Sequence, residues 1–210
     1  MDQRIENTIQ FKCIMEIVFC TNNQHKLTEI GQILGSQIAF LTLKDIGFND
    51  EIPEPFDTLE ENSFTKANQV YQKTGRNCVA EDTGLFIEAL NGEPGVFSAR
   101  YAGPECDSNK NMDKVLNQLE EVKSRSAYFK TVISLILDGE LTQFEGKCEG
   151  HISMTKQGID GFGYDPIFIP NGYEQSFAEL TSNQKNEISH RRKALDAFIN
   201  YLNQRSTQST

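Results

Sequence analysis

The chain carries the stretch IVFCTNNQHK at residues 17–26, and this stretch decides how the fold begins. Its first four residues are apolar and suit a buried β-strand. The next four are polar, and Leu27, Ile30, Ile33 and Leu34 then follow at the spacing of one helix face. The stretch therefore predicts a strand, a short polar loop and a helix.

The same alternation continues along the rest of the chain. Thr58 and Glu61 form a capping box that predicts a helix start, and Gly75 predicts the end of that helix. The further predicted strands are 38–43, 78–80, 85–90, 128–137, 144–153 and 167–169, with a turn at 81–84, and the further predicted helices are 107–122 and a last helix carrying Leu195, Phe198, Ile199 and Leu202. Strands interspersed with helices predict an α/β fold class.

The domain organisation is predicted to be simple. The 210 residues are enough for one domain with a sizeable core, and the chain contains no internal repeat and no linker. We expect a single domain at 15–203. An irregular extension at 1–14 precedes it, and a polar tail at 204–210, expected to fray, follows it.

Composition excludes several classes of function. The net charge of −10 disfavours nucleic-acid binding, which normally needs a basic surface. No apolar run is long enough to span a membrane. The five cysteines are scattered and form no C-x-x-C pair, which indicates free thiols in a reducing compartment and no structural zinc. Residues 1–14 contain acids and amides where a signal peptide is apolar, so we expect a cytoplasmic protein.

The polar loop after the first strand is a candidate phosphate site. Lys26 is predicted to lie in the first helical turn, where the helix dipole disfavours a cation. A bound phosphate reverses that preference, because backbone N–H groups and an ammonium together hold an anion. The candidate residues are Thr21, Asn22, Asn23, Gln24, His25 and Lys26. A solvated capping loop with an ordinary surface lysine is the alternative that this stretch leaves open.

Two carboxylates are candidate metal ligands. Glu54 lies between two prolines, and Asp82 lies in the predicted turn at 81–84. Together they suit Mg²⁺, which prefers one or two carboxylates and completes its shell with substrate phosphates and water. The neighbouring Glu81 points the opposite way if the backbone is extended. Ordinary turn chemistry is the alternative for each carboxylate taken singly.

Two further groups suit a nucleobase pocket. In the stretch at 161–166, GFGYDP, glycines flank an aromatic residue, as in a loop that presents a ring for stacking; a packed loop with a core phenylalanine is the alternative. Lys185 precedes Ser189, which can cap the last helix. His190 and Arg191 then occupy the first turn of that helix. A solvated basic helix end is the alternative here.

Taken together, these features resemble the inosine/xanthosine triphosphate pyrophosphatase family, which removes non-canonical purine nucleotides. The resemblance runs from about Ile17 to about Leu195. Its blocks are Thr21-Asn22-Asn23-x-x-Lys26, Leu59-Glu60-Glu61-Asn62-Ser63 with Lys66-Ala67, Ala80 to Leu85, Pro94-Gly95-x-x-Ser98 to Gly103, Gly161 to Pro166, and Glu179-Leu180-Thr181 with Lys185 and Ile188 to Arg191. Each block alone is weak, but their common order is specific.

The resemblance implies an activity and a fold. The activity is Mg²⁺-dependent hydrolysis of ITP, dITP and XTP to the monophosphate and pyrophosphate, which clears deaminated purines from the nucleotide pool. The fold consists of two lobes on a long twisted mixed β-sheet with flanking helices, and the active site lies in the cleft between the lobes. Family members are usually homodimers, so a homodimer that binds neither nucleic acid nor membrane is expected.

The resemblance also implies a role for each candidate residue. Thr21 to Lys26 bind the triphosphate, Glu54 and Asp82 hold Mg²⁺, and Asp82 is the general base for the attacking water. Thr83 contacts the substrate, and Phe162 stacks on the base. The base pocket is completed by Gly163, Tyr164 and Asp165, and the purine edge is read by Lys185, His190 and Arg191.

Three departures and two rival functions accompany this prediction. Asn22 stands where glycine is common in the family, Ser63 stands where alanine is frequent, and residues 1–14 precede the family pattern. The rivals are a pyrophosphatase of related fold that prefers pyrimidine or modified nucleotides, and a nucleotide sensor without turnover. Retention of both Glu54 and Asp82 argues against the sensor.

Overall fold

The computed structural model describes residues 16–34 and 39–208. The predictions for residues 1–14 lie outside these ranges. The elements in chain order are β1 (Glu16–Phe19), α1 (Gln24–Leu34), β2 (Ala39–Thr42), α2 (Leu59–Thr74), β3 (Cys78–Ile87), β4 (Pro94–Gly95), α3 (Ser108–Gln118), β5 (Ser126–Leu137), β6 (Glu140–Ile152), β7 (Phe168–Pro170), α4 (Ser182–Ile188) and α5 (His190–Gln208). The α/β class predicted from the sequence is confirmed.

One mixed sheet organises the described residues. Its strand order is β2-β1-β3-β5-β6-β7, and β4 pairs with β3 off this path. The β2-β1-β3 part is parallel, whereas β3, β5, β6 and β7 are joined by antiparallel pairs. The β5–β6 hairpin turns at Gly139, whose φ of 86° suits glycine. The change from parallel to antiparallel pairing occurs at β3.

The helices bury apolar residues on both faces of the sheet. On one face, α2 packs through Ala67 and Val70 against β1 and β3. On the other face, α5 packs through Leu195 and Phe198 against β1, β3 and β5. A third apolar cluster, around Val115 of α3, fills the other end of the sheet. The sheet thus carries a lobe at each end, and β3 passes through both.

Helix α2 begins and ends as its local sequence predicts. The Thr58 hydroxyl accepts a hydrogen bond from the Glu61 backbone N–H at 3.2 Å and donates one to the Glu61 carboxylate at 2.7 Å. Gly75 adopts the left-handed conformation with φ 65°, and its N–H bonds to the Tyr71 carbonyl. Both signals act within a few residues, which explains why they are readable from the sequence.

The turn predicted at 81–84 is wrong, because β3 runs through it without interruption. Residues 81–84 pair in register with residues 130–133 of β5, so their backbone groups are satisfied by the sheet. Gly84 is present for a different reason. A Cβ at this position would lie 2.5 Å from the Gly95 carbonyl oxygen of β4. The glycine therefore permits the close approach of β4 rather than a turn.

The C-terminal region differs from the prediction in two respects. A separate short helix, α4, precedes α5 and is opened by a capping box between Thr181 and Gln184. Ser189 lies between the two helices, and its hydroxyl accepts from the Arg192 N–H at 3.1 Å, so its predicted capping role is confirmed. Helix α5 continues to Gln208, so residues 204–208 of the predicted polar tail are helical. Arg205 supports this end by bonding Tyr201 of the preceding turn and Glu140 of β6.

Candidate active site

A cavity of about 630 Å³ opens at the junction of the two lobes. Its walls come from the β1–α1 loop, α2, β3, the loop at 162–165, α4 and the start of α5. Of the sixteen site residues predicted from the sequence, only Gln24 does not line it. The lining includes Thr21, Asn22, Asn23, His25, Lys26, Glu54, Asp82, Thr83, Phe162, Gly163, Tyr164, Asp165, Lys185, His190 and Arg191.

The β1–α1 loop presents the N-terminus of α1 to this cavity. The Asn23 side-chain oxygen accepts from the N–H groups of His25 at 3.0 Å and Lys26 at 3.2 Å, which caps the helix. The Thr21 hydroxyl oxygen accepts from the Asn23 N–H at 3.1 Å. The loop is therefore shaped by its own polar side chains. It brings the positive helix end and the Lys26 ammonium to one end of the cavity.

The two candidate metal ligands lie together, with a lysine between them. The Lys66 ammonium of α2 contacts Glu54 at 2.5 Å and Asp82 at 2.9 Å. Lys66 is only 6% exposed. Burial by itself lowers the pKa of Lys66, but the Asp82 and Glu54 carboxylates raise it above its ordinary value. The ammonium therefore stays charged and holds the two carboxylates close to each other.

Asp82 is the less satisfied of the two carboxylates. Its Oδ2 atom is buried and has no hydrogen-bond partner. Burial raises the pKa of Asp82 despite the nearby Lys66 ammonium. For Glu54, burial raises the pKa, but the Lys66 ammonium outweighs it and the net pKa is lowered. A free carboxylate oxygen beside a second carboxylate is a donor set that fits Mg²⁺, which prefers oxygen ligands.

No set of three or more potential metal ligands among His, Cys, Asp and Glu occurs in the part of the chain that the structure describes.

Glu81 and Asp82 point to different partners, as extended geometry predicts. The Glu81 carboxylate accepts from the Arg191 guanidinium through Nε at 2.9 Å and Nη2 at 3.0 Å. It also contacts the Lys26 ammonium at 3.1 Å. Burial raises the pKa of Glu81, but Arg191 and Lys26 hold it well below its usual range. Glu81 therefore stays ionised.

The aromatic end of the cavity is built around Phe162. The His25 ring stacks on the Phe162 ring with centroids 5.2 Å apart, and the Lys185 ammonium lies 4.9 Å from the same ring. Asp165 fixes this loop: its carboxylate accepts from the Phe162 N–H at 2.8 Å and from Lys185 at 2.7 Å. Lys185 also contacts Glu29 at 2.6 Å. The Lys185 ammonium is thus held between two carboxylates.

His190 lies against the same aromatic wall. Its ring stacks on Phe129 at 4.6 Å, and its Nδ1 atom is buried without a partner. Burial, together with Arg191 and Lys185, holds the pKa of His190 well below its usual range. The imidazole is therefore neutral at physiological pH.

Two predicted substrate residues have structural contacts of their own. The Thr83 hydroxyl bonds to the Thr131 hydroxyl of β5 at 2.6 Å. The Tyr164 hydroxyl donates to the Ser98 carbonyl at 2.8 Å, and Tyr164 is 4% exposed. Both line the cavity, but their polar atoms brace its wall.

Sequence reasoning did not assign a role to Lys66 or Glu29. Lys66 appeared only inside a family block, and on α2 it reads as an ordinary helix lysine. Glu29 lies one helical turn after Lys26, so it reads as a surface residue of α1. The signal that could have found them is a charged residue on the face of a helix that packs against the rest of the protein. That face can be identified only when the elements that pack against the helix are known.

Fold and cavity together define an α/β protein with a concave small-molecule site that is cationic at one end and aromatic at the other. The chain belongs to the Ham1 family, whose model matches residues 17–201. It is 50% identical over 188 residues to the dITP/XTP pyrophosphatase of Flavobacterium johnsoniae, covering 90% of this chain and 98% of that protein. It is 46% identical to the dITP/XTP pyrophosphatase of Porphyromonas gingivalis, covering 89% of this chain and 97% of that protein.

Solved structures show the same fold. The Staphylococcus aureus Ham1 protein superposes with a TM-score of 0.84 at 36% identity, over 90% of this chain and 99% of that one. A HAM1 protein from Coxiella burnetii gives a TM-score of 0.83 at 38% identity, over 91% and 100%. The two-lobed mixed-sheet architecture expected from the sequence is thereby confirmed. Among the described helices, none combines the length and apolarity needed to cross a bilayer.

Proposed function

We propose that this protein hydrolyses dITP, ITP and XTP to the nucleoside monophosphate and pyrophosphate, and so removes deaminated purines from the nucleotide pool. The observation that carries the proposal is the order of groups along one cavity. The Lys26 end suits phosphates, Glu54 and Asp82 lie beside Lys66, and the Phe162 and His190 rings form the aromatic end. Relatives up to 50% identical are dITP/XTP pyrophosphatases.

Glu54 and Asp82 are the residues that would hold Mg²⁺. The free Oδ2 atom of Asp82 and the adjacent Glu54 carboxylate supply the oxygen ligands. When bound, Mg²⁺ supplies charge neutralisation for the phosphate chain. Lys26 and the N-terminus of α1 bind the same chain from the other side.

Asp82 is the proposed general base. A water molecule that attacks the α-phosphorus must be held in line and must lose a proton. Asp82 offers a buried carboxylate oxygen, Oδ2, that has no hydrogen-bond partner in the protein and can accept a hydrogen bond from this water. Lys66, 2.9 Å away, orients the carboxylate and stabilises its charged form. Pyrophosphate leaves, and the nucleoside monophosphate remains.

Selectivity for a 6-oxo purine is proposed to come from donors at the aromatic end. Phe162 offers a ring face for stacking. The Lys185 ammonium and the Arg191 guanidinium lie 4.9 Å and 5.7 Å from its centroid, and His190 lines the same cavity. A 6-oxo group accepts hydrogen bonds from such donors, whereas the 6-amino group of adenine is itself a donor and offers them no acceptor. A hydrogen bond to a charged donor contributes about 1.5–3 kcal/mol, which adenine would forgo.

We also propose that the protein acts as a homodimer in the cytoplasm. The dimer follows from the family resemblance. The location is supported by Cys20, Cys78, Cys106 and Cys148, which are all free thiols. Light scattering on the purified protein tests the dimer, and a monomer at micromolar concentration would reject it.

A substrate panel tests the proposed activity. Purified protein is mixed with ITP, dITP, XTP, GTP, ATP, dUTP and CTP in the presence and absence of Mg²⁺, and pyrophosphate release is measured. We expect release from the first three nucleotides, little from the others, and none without the metal. Preferred turnover of a pyrimidine would support the rival pyrophosphatase. Tight binding of ITP without pyrophosphate release would support the sensor.

A further inference from the structure

Glu81 is a fully buried carboxylate that contacts two cations from different parts of the chain. It lies in the middle of β3, opposite Ile133 of β5, so its backbone is fixed by the sheet. Lys26 reaches it from α1 at 3.1 Å, and Arg191 reaches it from α5 at 2.9 Å. Its side chain is 0% exposed. In the proposed function the two cations serve different parts of the substrate, since Lys26 binds the phosphate chain and Arg191 the base.

The contacts continue beyond Glu81 as an alternating chain of charges. Arg191 also bonds Glu29, and Glu29 contacts Lys185 at 2.6 Å. Lys185 contacts Asp165 at 2.7 Å, and Asp165 accepts from the Phe162 N–H. Glu29 and Asp165 each have a second cationic or N–H partner. An ion-paired path therefore runs from the phosphate lysine to the loop that carries the stacking ring.

Glu81 is the carboxylate that links Lys26 to the rest of this ion-paired path, through Arg191. If Glu81 loses its charge, Lys26 and Arg191 face each other with no anion between them. Like charges repel strongly where water is excluded. Lys26 has a flexible stem and can swing towards the bulk solvent. Arg191 is held at its other end by Glu29. Removing the Glu81 charge is therefore expected to displace Lys26 most and to loosen the direction of Arg191.

We propose that Glu81 is a positioning residue that aims Lys26 and Arg191 together, so that the triphosphate and the purine are bound as one unit. It does not touch the substrate. The inference rests on the proposed function, in which Lys26 binds phosphate and Arg191 reads the base. It assigns to Glu81 a role separate from that of its neighbour Asp82, which holds the metal and activates water.

Glu81→Gln tests this role because it keeps the shape and removes the charge. We expect the KM for ITP to rise about tenfold or more, while kcat changes less than about threefold. Glu81→Asp keeps the charge on a shorter side chain and is expected to restore part of the affinity. Glu60→Gln is the matched control, since Glu60 forms a half-exposed ion pair with Lys130 outside the cavity. It should leave KM unchanged.

Binding of two substrate fragments separates the positioning role from a local one. Inorganic tripolyphosphate probes the phosphate end and IMP probes the base end, both by calorimetry. Glu81→Gln should weaken both probes, whereas Lys26→Met should weaken tripolyphosphate alone. If Glu81→Gln weakens one probe or neither, the inference is wrong. If Glu81→Gln lowers both kcat and the free energy of unfolding but leaves the binding of both probes unchanged, Glu81 has only a structural role and the inference is wrong.

The outcomes also separate this inference from the proposed function. Failure of the unaltered protein to release pyrophosphate from ITP rejects the function. Normal turnover by the unaltered protein together with unchanged KM in Glu81→Gln rejects only the role of Glu81. If Glu81→Gln does not fold, the same probes are measured with Glu81→Asp. Equal binding of both probes by Glu81→Asp and the unaltered protein then counts against the inference, because the shorter side chain cannot reach both cations.

Discussion

The close packing of α5 on β6 at Gly146 yields a quantitative prediction. Gly146 pairs with Thr131 of β5, and the first turn of α5 lies directly on its backbone. A Cβ added at Gly146 would lie 2.0 Å from the His190 carbonyl oxygen and 2.5 Å from the Ala194 nitrogen. Both contacts are with backbone atoms, so a change of side-chain rotamer cannot relieve them. Gly146→Ala must therefore move α5 or β6.

The size of that movement sets the expected effects. Real Cβ contacts essentially never fall below 3.0 Å, so the helix must retreat by roughly 1 Å. Overpacking of this kind costs about 1–3 kcal/mol of stability. The same shift displaces His190 and Arg191, which begin α5. A displacement of about 1 Å in a positioning group can lower turnover by about 10²-fold. We expect kcat/KM for ITP to fall towards that limit.

Gly31→Ala is the matched control, because it adds the same methyl group in open space. Gly31 lies inside α1, and nothing lies within 4 Å of its added Cβ. Replacing a helix-interior glycine should stabilise the protein by about 0.5–1 kcal/mol. Urea unfolding and ITP kinetics are measured for both variants. A Gly146→Ala protein that unfolds within about 0.5 kcal/mol of the unaltered one, with unchanged kinetics, would refute the packing argument.

Three further predictions concern single groups of the cavity. Asp82→Asn should keep the thermal midpoint but lower ITP turnover about 10²-fold or more, and a loss below threefold would remove Asp82 as the base. Lys26→Ala should lower kcat/KM for ITP, XTP, GTP and ATP by a similar factor. Lys185→Ala should lower kcat/KM most for ITP and XTP. If Lys185→Ala lowers kcat/KM for all four nucleotides by one common factor, Lys185 does not act at the base end. Because His190 is neutral when folded but binds a proton when unfolded, stability should fall as pH drops below about 6.5, by up to about 1.4 kcal/mol per pH unit. The free energy of unfolding, measured in urea from pH 7.5 to 5, should therefore change less with pH in His190→Phe than in the exposed control His151→Gln. Equal pH dependence in the two variants would count against a buried neutral imidazole.

The elements that could be predicted from the sequence are those whose signals are local. Strand β1, its polar loop and α1 follow from residues 17–34 alone, since burial and helix spacing are visible there. The caps of α2 act within three residues at the start and within four at the end. The α/β class follows from the alternation of such segments. None of these predictions needs to know which elements meet in space.

The elements that were missed depend on distant partners. Glu-Asp-Thr-Gly at 81–84 has the composition of a turn, but pairing with β5 satisfies its backbone, and the sheet outweighs the local preference. Helix α4 is only seven residues long, too short for a clear apolar period. Lys66 becomes an active-site candidate only because α2 packs across β3 and brings it to Asp82.

The charges around the cavity bear on how a triphosphate could enter it. The ion-paired groups are five carboxylates and five cations, so the charges of the wall balance when His190 is neutral; they are Glu29, Glu54, Glu81, Asp82, Asp165, Lys26, Lys66, Lys185, Arg100 and Arg191. A triphosphate adds further negative charge, and like charges repel more strongly where the protein lowers the local dielectric constant. The lysines and arginines offset this charge only in part, because each is already paired with a carboxylate of the protein. We therefore expect a divalent cation beside Asp82 to be required for triphosphate binding itself, as well as for the attack of water on the α-phosphorus.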